Sequence, residues 1–352
     1  MIAVEIFTQM MMSHWVKSTS TTCKKVLTKG FSQNVNPKKF DVGRTKFQSL
    51  IGRDLISFDG YTRDDIYTLL WIAKELKQFQ HQPIRMGKRI SLIWSNPITK
   101  ATLANASQNL ESSLCCVHED QLYGSSNNYE MLGRSLASAA DIIFLDVPSW
   151  SQSNVEEFAA GSNRPVVLIS SRELSPALVY SELLSFYETY AFLRRLILVY
   201  LGPGNNAVLN TYFTVVPTIG GHLRYVVDGV IENQTSWEKG LRLASKFNTE
   251  MKQFEKVEEA VDRAHAVSTC FHNIPHMHLM LKDVKEMDLD WTFVQSDSHK
   301  GLSVSKDLMK ASGHSLLNEV ISNQSWIFQA CVAAHASDYT PKSQPPRFEG
   351  VD

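Results

Sequence analysis

The feature that most constrains the fold is the alternation of short, uninterrupted apolar runs with longer segments of helical periodicity. Residues 141–145, 165–169 and 196–201 are such runs, rich in Ile, Val and Leu. Strands without polar alternation are buried on both faces, as parallel strands covered by helices are. Helical segments at residues 155–160 and 176–190 separate them, and residues 63–79 have a helical pattern earlier in the chain. We therefore predict an α/β protein with two domains, each with a central parallel sheet flanked by helices and joined by a helix at residues 176–190.

Composition supports a globular protein and gives little reason to expect nucleic acid. The 352 residues are 43% hydrophobic and 20% charged, and the formal net charge is −1. A polyanionic partner would call for a basic surplus, which is absent. No run of about 18 apolar residues predicts a membrane span. The five cysteines are scattered without a repeated spacing, so we predict no disulfide framework.

The first 48 residues differ from the rest and are predicted to be a basic N-terminal extension. They contain eight lysines and arginines against Glu5 and Asp41, and they are rich in Ser and Thr. This composition is typical of an organelle transit peptide. We therefore expect a mitochondrial matrix location, with an untargeted flexible tail and a cytoplasmic location as the alternative.

A glycine-rich turn follows one of the predicted strands, but it is a poor nucleotide-binding motif. Residues 202–204 read Gly-Pro-Gly, and Ala207 stands where a third glycine would complete the dinucleotide spacing. Pro203 and the two asparagines at 205–206 depart further from that pattern. The turn is interpreted as a tight connection from strand to helix, without a bound cofactor.

Two polar clusters could suggest chemistry, yet neither has a convincing pattern. His272, His276 and His278 lie close in sequence, but Pro275 prevents a helix that would align the first two for zinc. Residues 296–299 read Ser-Asp-Ser-His, whereas hydrolase triads are assembled from separated segments. We predict no metal, no cofactor and no hydrolase site.

The order of segments resembles the ornithine transcarbamylase family from residue 52 to residue 348. The matching framework consists of Leu-Trp at 70–71, Gly202 with Gly-Asn-Asn at 204–206, Asp-Trp-Thr-Phe at 290–293 and Asp-Tyr-Thr-Pro at 338–341. The resemblance implies the transcarbamylase fold and a homotrimer. It also implies a carbamoyl-phosphate-type domain at 49–177 that is completed by a helix at about 321–340, an amino-acid (ornithine)-type domain at 178–320, and a polar tail at 341–352.

The phosphate-binding signature of this family is largely replaced. The family has Ser-Thr-Arg-Thr-Arg at a helix N-terminus, where amides, hydroxyls and guanidiniums neutralise the phosphate. The corresponding residues are Ile98, Thr99, Lys100, Ala101 and Thr102. Thr99 is retained, and Lys100 is a point charge that does not replace a bidentate arginine. The resemblance thus implies a vestigial phosphate pocket at Thr99 and Lys100.

Other phosphate and carbamoyl contacts of the family are also replaced. Asp146 occupies the position of an arginine, which reverses the sign of the interaction with phosphate. The His-Pro-x-Gln motif has Ser175 and Leu178 in place of its histidine and glutamine, and Gln324 aligns with a late arginine. These replacements imply that carbamoyl phosphate is not bound.

The amino-acid side has changed in the same way. Phe271 and Pro275 stand in the loop that reads Asp-x-x-x-Ser-Met-Gly in the family, and Gln295 and Ser296 begin the segment that replaces His-Cys-Leu-Pro. Asn206 is the one ornithine contact that still matches.

These losses predict an inactive pseudoenzyme that retains the scaffold. Losing one preorganised donor commonly costs about 10²–10³ in rate, and here many are lost together. The alternatives are a residual or repurposed carbamoyltransferase, forming citrulline from ornithine and carbamoyl phosphate if active, and a small-metabolite binder in ornithine and arginine (urea-cycle) metabolism. A retained scaffold beside an erased site also suggests mixed trimers with an active paralogue.

Overall fold

The computed structural model describes residues 45–79, 84–122, 128–270, 279, 291–296, 304–305, 307–308 and 314–350. These residues belong to one compact unit, Gly43–Asp352. Its described α-helices are α1 (Arg63–Gln78), α2 (Pro97–Asn109), α3 (Tyr129–Ala139), α4 (Gln152–Gly161), α5 (Pro176–Tyr190), α6 (Ala207–Thr218), α7 (Gln234–Phe247), α8 (Val257–Val261) and α9 (Leu317–Ala336).

The first sheet is parallel and comes from the N-terminal half of the chain. Its strands are β1 (Arg89–Trp94), β2 (Ser113–His118), β3 (Ile142–Val147) and β4 (Val166–Ser171). They lie in the order β2-β1-β3-β4. All six residues of β3 are buried, as the uninterrupted apolar run predicts for a central strand.

The second sheet is also parallel. Its strands are β5 (Ile197–Pro203), β6 (His222–Asp228), β7 (Met251–Gln253), β8 (Ala266–Cys270) and β9 (Thr292–Ser296). They lie in the order β7-β6-β5-β8-β9. In both sheets the chain leaves each strand at the same edge, so the loops at the carboxyl ends form the place where ligands bind in folds of this type.

Three helices hold the two sheets together. The largest apolar cluster includes Leu69 of α1, Phe186 of α5 and Phe328 of α9, together with side chains of both sheets. Phe328 is fully buried, and such burial stabilises the folded state by roughly 1.5–3 kcal/mol per side chain. The C-terminal helix α9 packs against α1, α2 and α5. It therefore returns the end of the chain to the first sheet.

The predicted fold class is confirmed, with two parallel sheets flanked by helices. The structure adds β7, a three-residue strand with two exposed residues that carries no apolar run. It also places the start of the last helix earlier, at Leu317 and not near residue 321. Among the described residues, no helix combines the length and the apolar character that a membrane span needs.

Candidate functional site

The site lies at the turn that connects strand β1 of the first sheet to helix α2. Asn96 caps the helix, with its Oδ1 accepting from the Ile98 N–H at 2.9 Å, and Pro97 occupies the first helical position. This Asn-Pro pair is a favoured helix start, because the cap satisfies one amide and proline has none to satisfy. Since β1 and β3 are neighbours, the end of β3 emerges beside this N-terminus.

Asp146 fills the space beside the N-terminus of α2. Its side chain is only 4% exposed, and its Oδ2 accepts from the Asn96 N–H at 2.9 Å. The Ser95 N–H and the Thr99 hydroxyl also hydrogen-bond to this carboxylate. The pairing of β3 with β4 shifts register between Leu145 and Asp146, at the point where the carboxylate turns toward the helix. Three hydrogen-bond donors that could bind a phosphate therefore bind the carboxylate of Asp146.

The electrostatics of this carboxylate reflect its burial. Desolvation raises the pKa of Asp146 to about 6, although the hydrogen bonds from Asn96, Ser95 and Thr99 favour the charged form. A second buried carboxylate, Glu119, raises it further. The Asp146 carboxylate thus occupies the anion position at α2, and a second buried carboxylate lies near enough to act on its charge.

Lys100 has a contact of a different kind. Its Nζ lies 4.4 Å from the centroid of the Trp94 ring, within cation–π distance. The same indole packs edge-on against His118, with 4.4 Å between ring centroids. The ammonium group is therefore held against an aromatic face at the end of β1.

The remaining replaced positions of α2 face the C-terminal helix. Ile98, Ala101 and Thr102 line an open groove of about 620 Å³ between α2 and α9, together with Trp326. Ile98 is 44% exposed, and the Thr102 hydroxyl donates to the Ile98 carbonyl at 2.8 Å. Gln324 is half-buried on α9. None of these four replaced positions (98, 101, 102 and 324) carries a cationic side chain.

The Ser-Pro pair that begins α5 is closed off from ligands. Ser175 is 1% exposed, its hydroxyl lies 3.0 Å from that of Ser170, and its N–H donates to the Thr211 hydroxyl at 2.9 Å. Leu178 packs against the main core. These side chains therefore serve packing and local hydrogen bonding.

On the second sheet, Asn206 caps a helix. Its Oδ1 accepts from the Val208 N–H at 2.8 Å at the start of α6. Gln295 is buried near the end of β9, and Ser296 is the last residue of that strand. Phe271 and Pro275 lie outside the described residues, as do the three histidines of 272–278 and residues 297–299. Among the residues that the structure describes, no group of three His, Cys, Asp or Glu could hold a metal ion.

Sequence reasoning identified Asp146 and Thr99 but missed Asn96, Ser95 and Glu119. Asn96 could have been found, because an asparagine before proline is a recognised helix-start signal. The buried Glu119 carries no such signal, since nothing local predicts that a glutamate after an edge strand lies beside β3.

Comparison with known proteins gives a consistent relationship over most of the chain. No family model matches. The chain is 24% identical over 323 residues to "Ornithine transcarbamylase, mitochondrial" of Gallus gallus, covering 85% of this chain and 90% of that protein. It is 22% identical over 335 residues to the mitochondrial ornithine carbamoyltransferase of Aquarana catesbeiana, covering 88% and 94%.

Solved structures have the same fold. The ornithine carbamoyltransferase of Pyrococcus furiosus matches with a TM-score of 0.76 at 20% identity, covering 83% of this chain and all of that chain. The ornithine transcarbamoylase of Giardia lamblia matches with a TM-score of 0.73 at 11% identity, covering 82% and 99%. Taken together, the comparisons show that the chain is similar in sequence to ornithine carbamoyltransferases along most of its length and that it has the fold of their solved structures.

Proposed function

We propose that this protein is a non-catalytic member of the aspartate/ornithine carbamoyltransferase superfamily, which keeps the scaffold and no longer binds carbamoyl phosphate. The observation that carries the proposal is the position of Asp146, whose carboxylate accepts hydrogen bonds from Asn96, Ser95 and Thr99. A phosphate at the N-terminus of α2 would need those same donors. The Asp146 carboxylate therefore occupies the hydrogen-bond donors that the phosphate would need.

The size of the electrostatic effect supports the proposal. Two like unit charges about 4 Å apart repel by about 4 kcal/mol at an effective dielectric constant of about 20. A charge-assisted hydrogen bond from an arginine would instead contribute roughly 1.5–3 kcal/mol. An aspartate in place of the arginine thus replaces a favourable contribution to phosphate binding by a larger unfavourable one. The dianionic form of a phosphate makes the balance worse.

The groups that could compensate are engaged elsewhere. Lys100 lies over the Trp94 ring, and Asn206 is used as the cap of α6. Ser175 pairs with Ser170 in the interior. Both halves of a transcarbamylase reaction would therefore lack the side chains that position substrate.

The direct test combines an assay with a ligand-binding measurement. The purified protein is expected to form no citrulline from carbamoyl phosphate and ornithine. A bisubstrate phosphonate analogue is expected to leave its melting temperature unchanged, because a ligand stabilises only a state that binds it. An active ornithine transcarbamylase measured in parallel provides the positive control. Citrulline formation, or a saturable thermal shift with the analogue, would overturn the proposal.

We also propose that the scaffold assembles as a homotrimer, as the family resemblance implies, with mixed trimers when an active paralogue shares the compartment. Native mass spectrometry of the protein alone should give a mass three times that of the 39.8 kDa chain. Co-expression with the paralogue tests the mixed form. Homo-oligomers alone in the co-expressed sample would exclude mixed trimers.

The proposed location is the mitochondrial matrix, supported by the basic, hydroxyl-rich composition of residues 1–48 and by the mitochondrial names of two relatives. Imaging of the full chain with a C-terminal fluorescent tag tests this. A diffuse cytoplasmic signal would favour the alternative.

A further inference from the structure

The last residues that the structure describes, 346–350, contact both the half of the chain with the first sheet and the half with the second sheet. We name them the clasp. Phe348 is fully buried, and the centroid of its ring lies 4.7 Å from that of Tyr67 on α1 and 4.4 Å from that of Tyr187 on α5. Terminal residues are poorly ordered unless specific contacts hold them. The burial of this ring therefore indicates that the clasp is anchored in the core.

The next residue of the clasp, Glu349, connects one arginine from each half. Its Oε1 lies 3.1 Å from Arg63 Nη1, at the first residue of α1, and its Oε2 lies 3.3 Å from Arg194 Nη1, shortly before β5. The Glu349 side chain is only 19% exposed. Partly buried ion pairs are screened less by salt than exposed ones. One carboxylate therefore bridges the two halves.

Two side chains of α1 that contact the clasp also bind the end of helix α6, in the second half. Arg63 Nε donates to the Thr218 carbonyl at 3.0 Å, and the Tyr67 hydroxyl donates to the Ile219 carbonyl at 3.1 Å. Carbonyls at a helix C-terminus lack partners within the helix, and a guanidinium is favourable at this negative end. The clasp thus holds the side chains that join α1 to the second half.

The connection from α5 to β5 has a backbone that needs such support. Ala191 and Arg195 have φ of 60° and 66°, in the left-handed region that residues with a Cβ rarely adopt. Between them, the Leu193 N–H donates to the Phe348 carbonyl at 2.7 Å. Strained backbone persists where surrounding contacts hold it, and a few loop residues commonly absorb the rotation at a hinge. Two strained residues therefore flank the point where the clasp binds.

We propose that the clasp is a latch that fixes the orientation of the second sheet relative to the first, and that its release lets the two sheets rotate about residues 191–195. The buried ring, the bridging carboxylate and the main-chain hydrogen bond all act on this connection or on the helices beside it. The proposal does not rest on the proposed loss of catalysis, because Asp146 and its hydrogen-bonding partners are not part of the clasp.

The test is a distance measurement between two spin labels in the full chain, one on each side of the hinge. Ser138→Cys on α3 and Ser245→Cys on α7 supply exposed label sites. The background carries Cys23→Ser, Cys115→Ser and Cys116→Ser, and the other two cysteines are buried. Samples with a single label identify any distance between copies of the chain. With the clasp intact, we expect one narrow distribution of intramolecular distances.

Two variants release the clasp in different ways. Glu349→Lys places a third cation beside Arg63 and Arg194 and keeps the buried ring, whereas Phe348→Ala keeps the carboxylate and leaves a cavity. Each should broaden the distance distribution about twofold or more, while circular dichroism remains that of a folded α/β protein. The matched control Arg347→Ala changes an exposed side chain of the same segment and should keep the narrow distribution.

The outcomes separate a latch from a segment that only adds stability. An unchanged narrow distribution in Glu349→Lys would overturn the proposal even if this variant melts at a lower temperature, because the clasp would then not set the orientation of the sheets. Equal broadening in Arg347→Ala would overturn it as well, since the effect would then not depend on the bridging contacts. If Phe348→Ala does not fold, the result for Glu349→Lys decides.

Discussion

The hydroxyl of Tyr339 donates to Glu75 Oε1 at 2.5 Å, which ties the segment after α9 to the last turn of α1. The Lys342 N–H donates to the same oxygen at 3.0 Å, and the Ser343 N–H donates to Oε2. Glu75 is buried, so its charge is matched almost entirely by these donors. One carboxylate thus anchors a C-terminal strap, defined as residues 338–343, to the first helix.

Replacing Glu75 by glutamine should loosen this strap. Burial alone would raise the pKa of Glu75, but the hydrogen bonds from Ser343, Tyr339 and Lys342 together lower it below 4.5. The stabilisation is therefore present above pH ~4.5 and is lost as the pH falls through the lower folded-state value. Glu75→Gln should cost about 1.5–3 kcal/mol at pH ~7, measured by urea unfolding. The control Glu319→Gln changes an exposed carboxylate on α9 and should change stability by less than about 0.5 kcal/mol.

A buried histidine gives a pH dependence of its own. His335 Nδ1 lies 2.7 Å from the Arg53 carbonyl, which assigns Nδ1 as the donor, and Nε2 is buried without a partner among the described residues. Burial lowers the pKa of His335 to about 4. Between pH ~6.5 and ~4 the unfolded chain binds the proton more readily, so folding loses up to about 3 kcal/mol as the pH falls. The variant His335→Asn should remove this loss, whereas His118→Asn, at a partly exposed position, should retain it. An unchanged pH profile in His335→Asn would exclude this assignment.

The titration of Asp146 should change the free energy of unfolding in the direction opposite to that of His335, over an overlapping pH range. Its pKa is raised from 3.8 to about 6, chiefly by burial, so its contribution is fully present below pH ~3.8 and is lost as the pH rises through ~6. The two effects partly cancel in the wild type. Asp146→Asn should therefore be more stable than the wild type at pH ~7.5, by up to about 3 kcal/mol, and nearly equal to it at pH ~4. Urea unfolding at both pH values tests this. If Asp146→Asn is less stable than the wild type at both pH values, burial does not destabilise the charged form of Asp146 as argued.

Much of the fold could be predicted because its signals are local. The apolar runs at 141–145 and 165–169 became β3 and β4, and the pattern at 176–190 became α5. The short strand β7 was missed because Met251–Gln253 is held by pairing with β6 and by no apolar run of its own. The start of α9 was placed too late because Leu316, its N-cap residue, makes no side-chain cap hydrogen bond that sequence could reveal.

The site was less predictable because its decisive contacts join distant segments. Sequence identified the reversed charge at Asp146, but the hydrogen bond to Asn96 spans 50 residues. Lys100 was expected in a vestigial phosphate pocket, and its contact with Trp94 depends on the turn between β1 and α2. Local patterns predict which residue types are present, whereas their partners follow from how the strands are ordered in the sheet.

The anion position at α2 should become accessible when its internal carboxylate is removed. Asp146→Ala leaves the Asn96 and Ser95 N–H groups and the Thr99 hydroxyl without their acceptor, beside the positive end of a helix. We expect this variant to gain a saturable thermal stabilisation from inorganic phosphate, which the wild type lacks.

Two controls separate site binding from general salt effects. Sodium chloride at matched ionic strength should give little stabilisation. The variant Glu157→Ala, which removes an exposed carboxylate on α4, should respond to phosphate as the wild type does. If Asp146→Ala and the wild type respond equally to phosphate, the donors at α2 do not form an anion site. If only the variant responds, the carboxylate of Asp146 is what excludes phosphate, because a single side chain then separates the closed site from an open one.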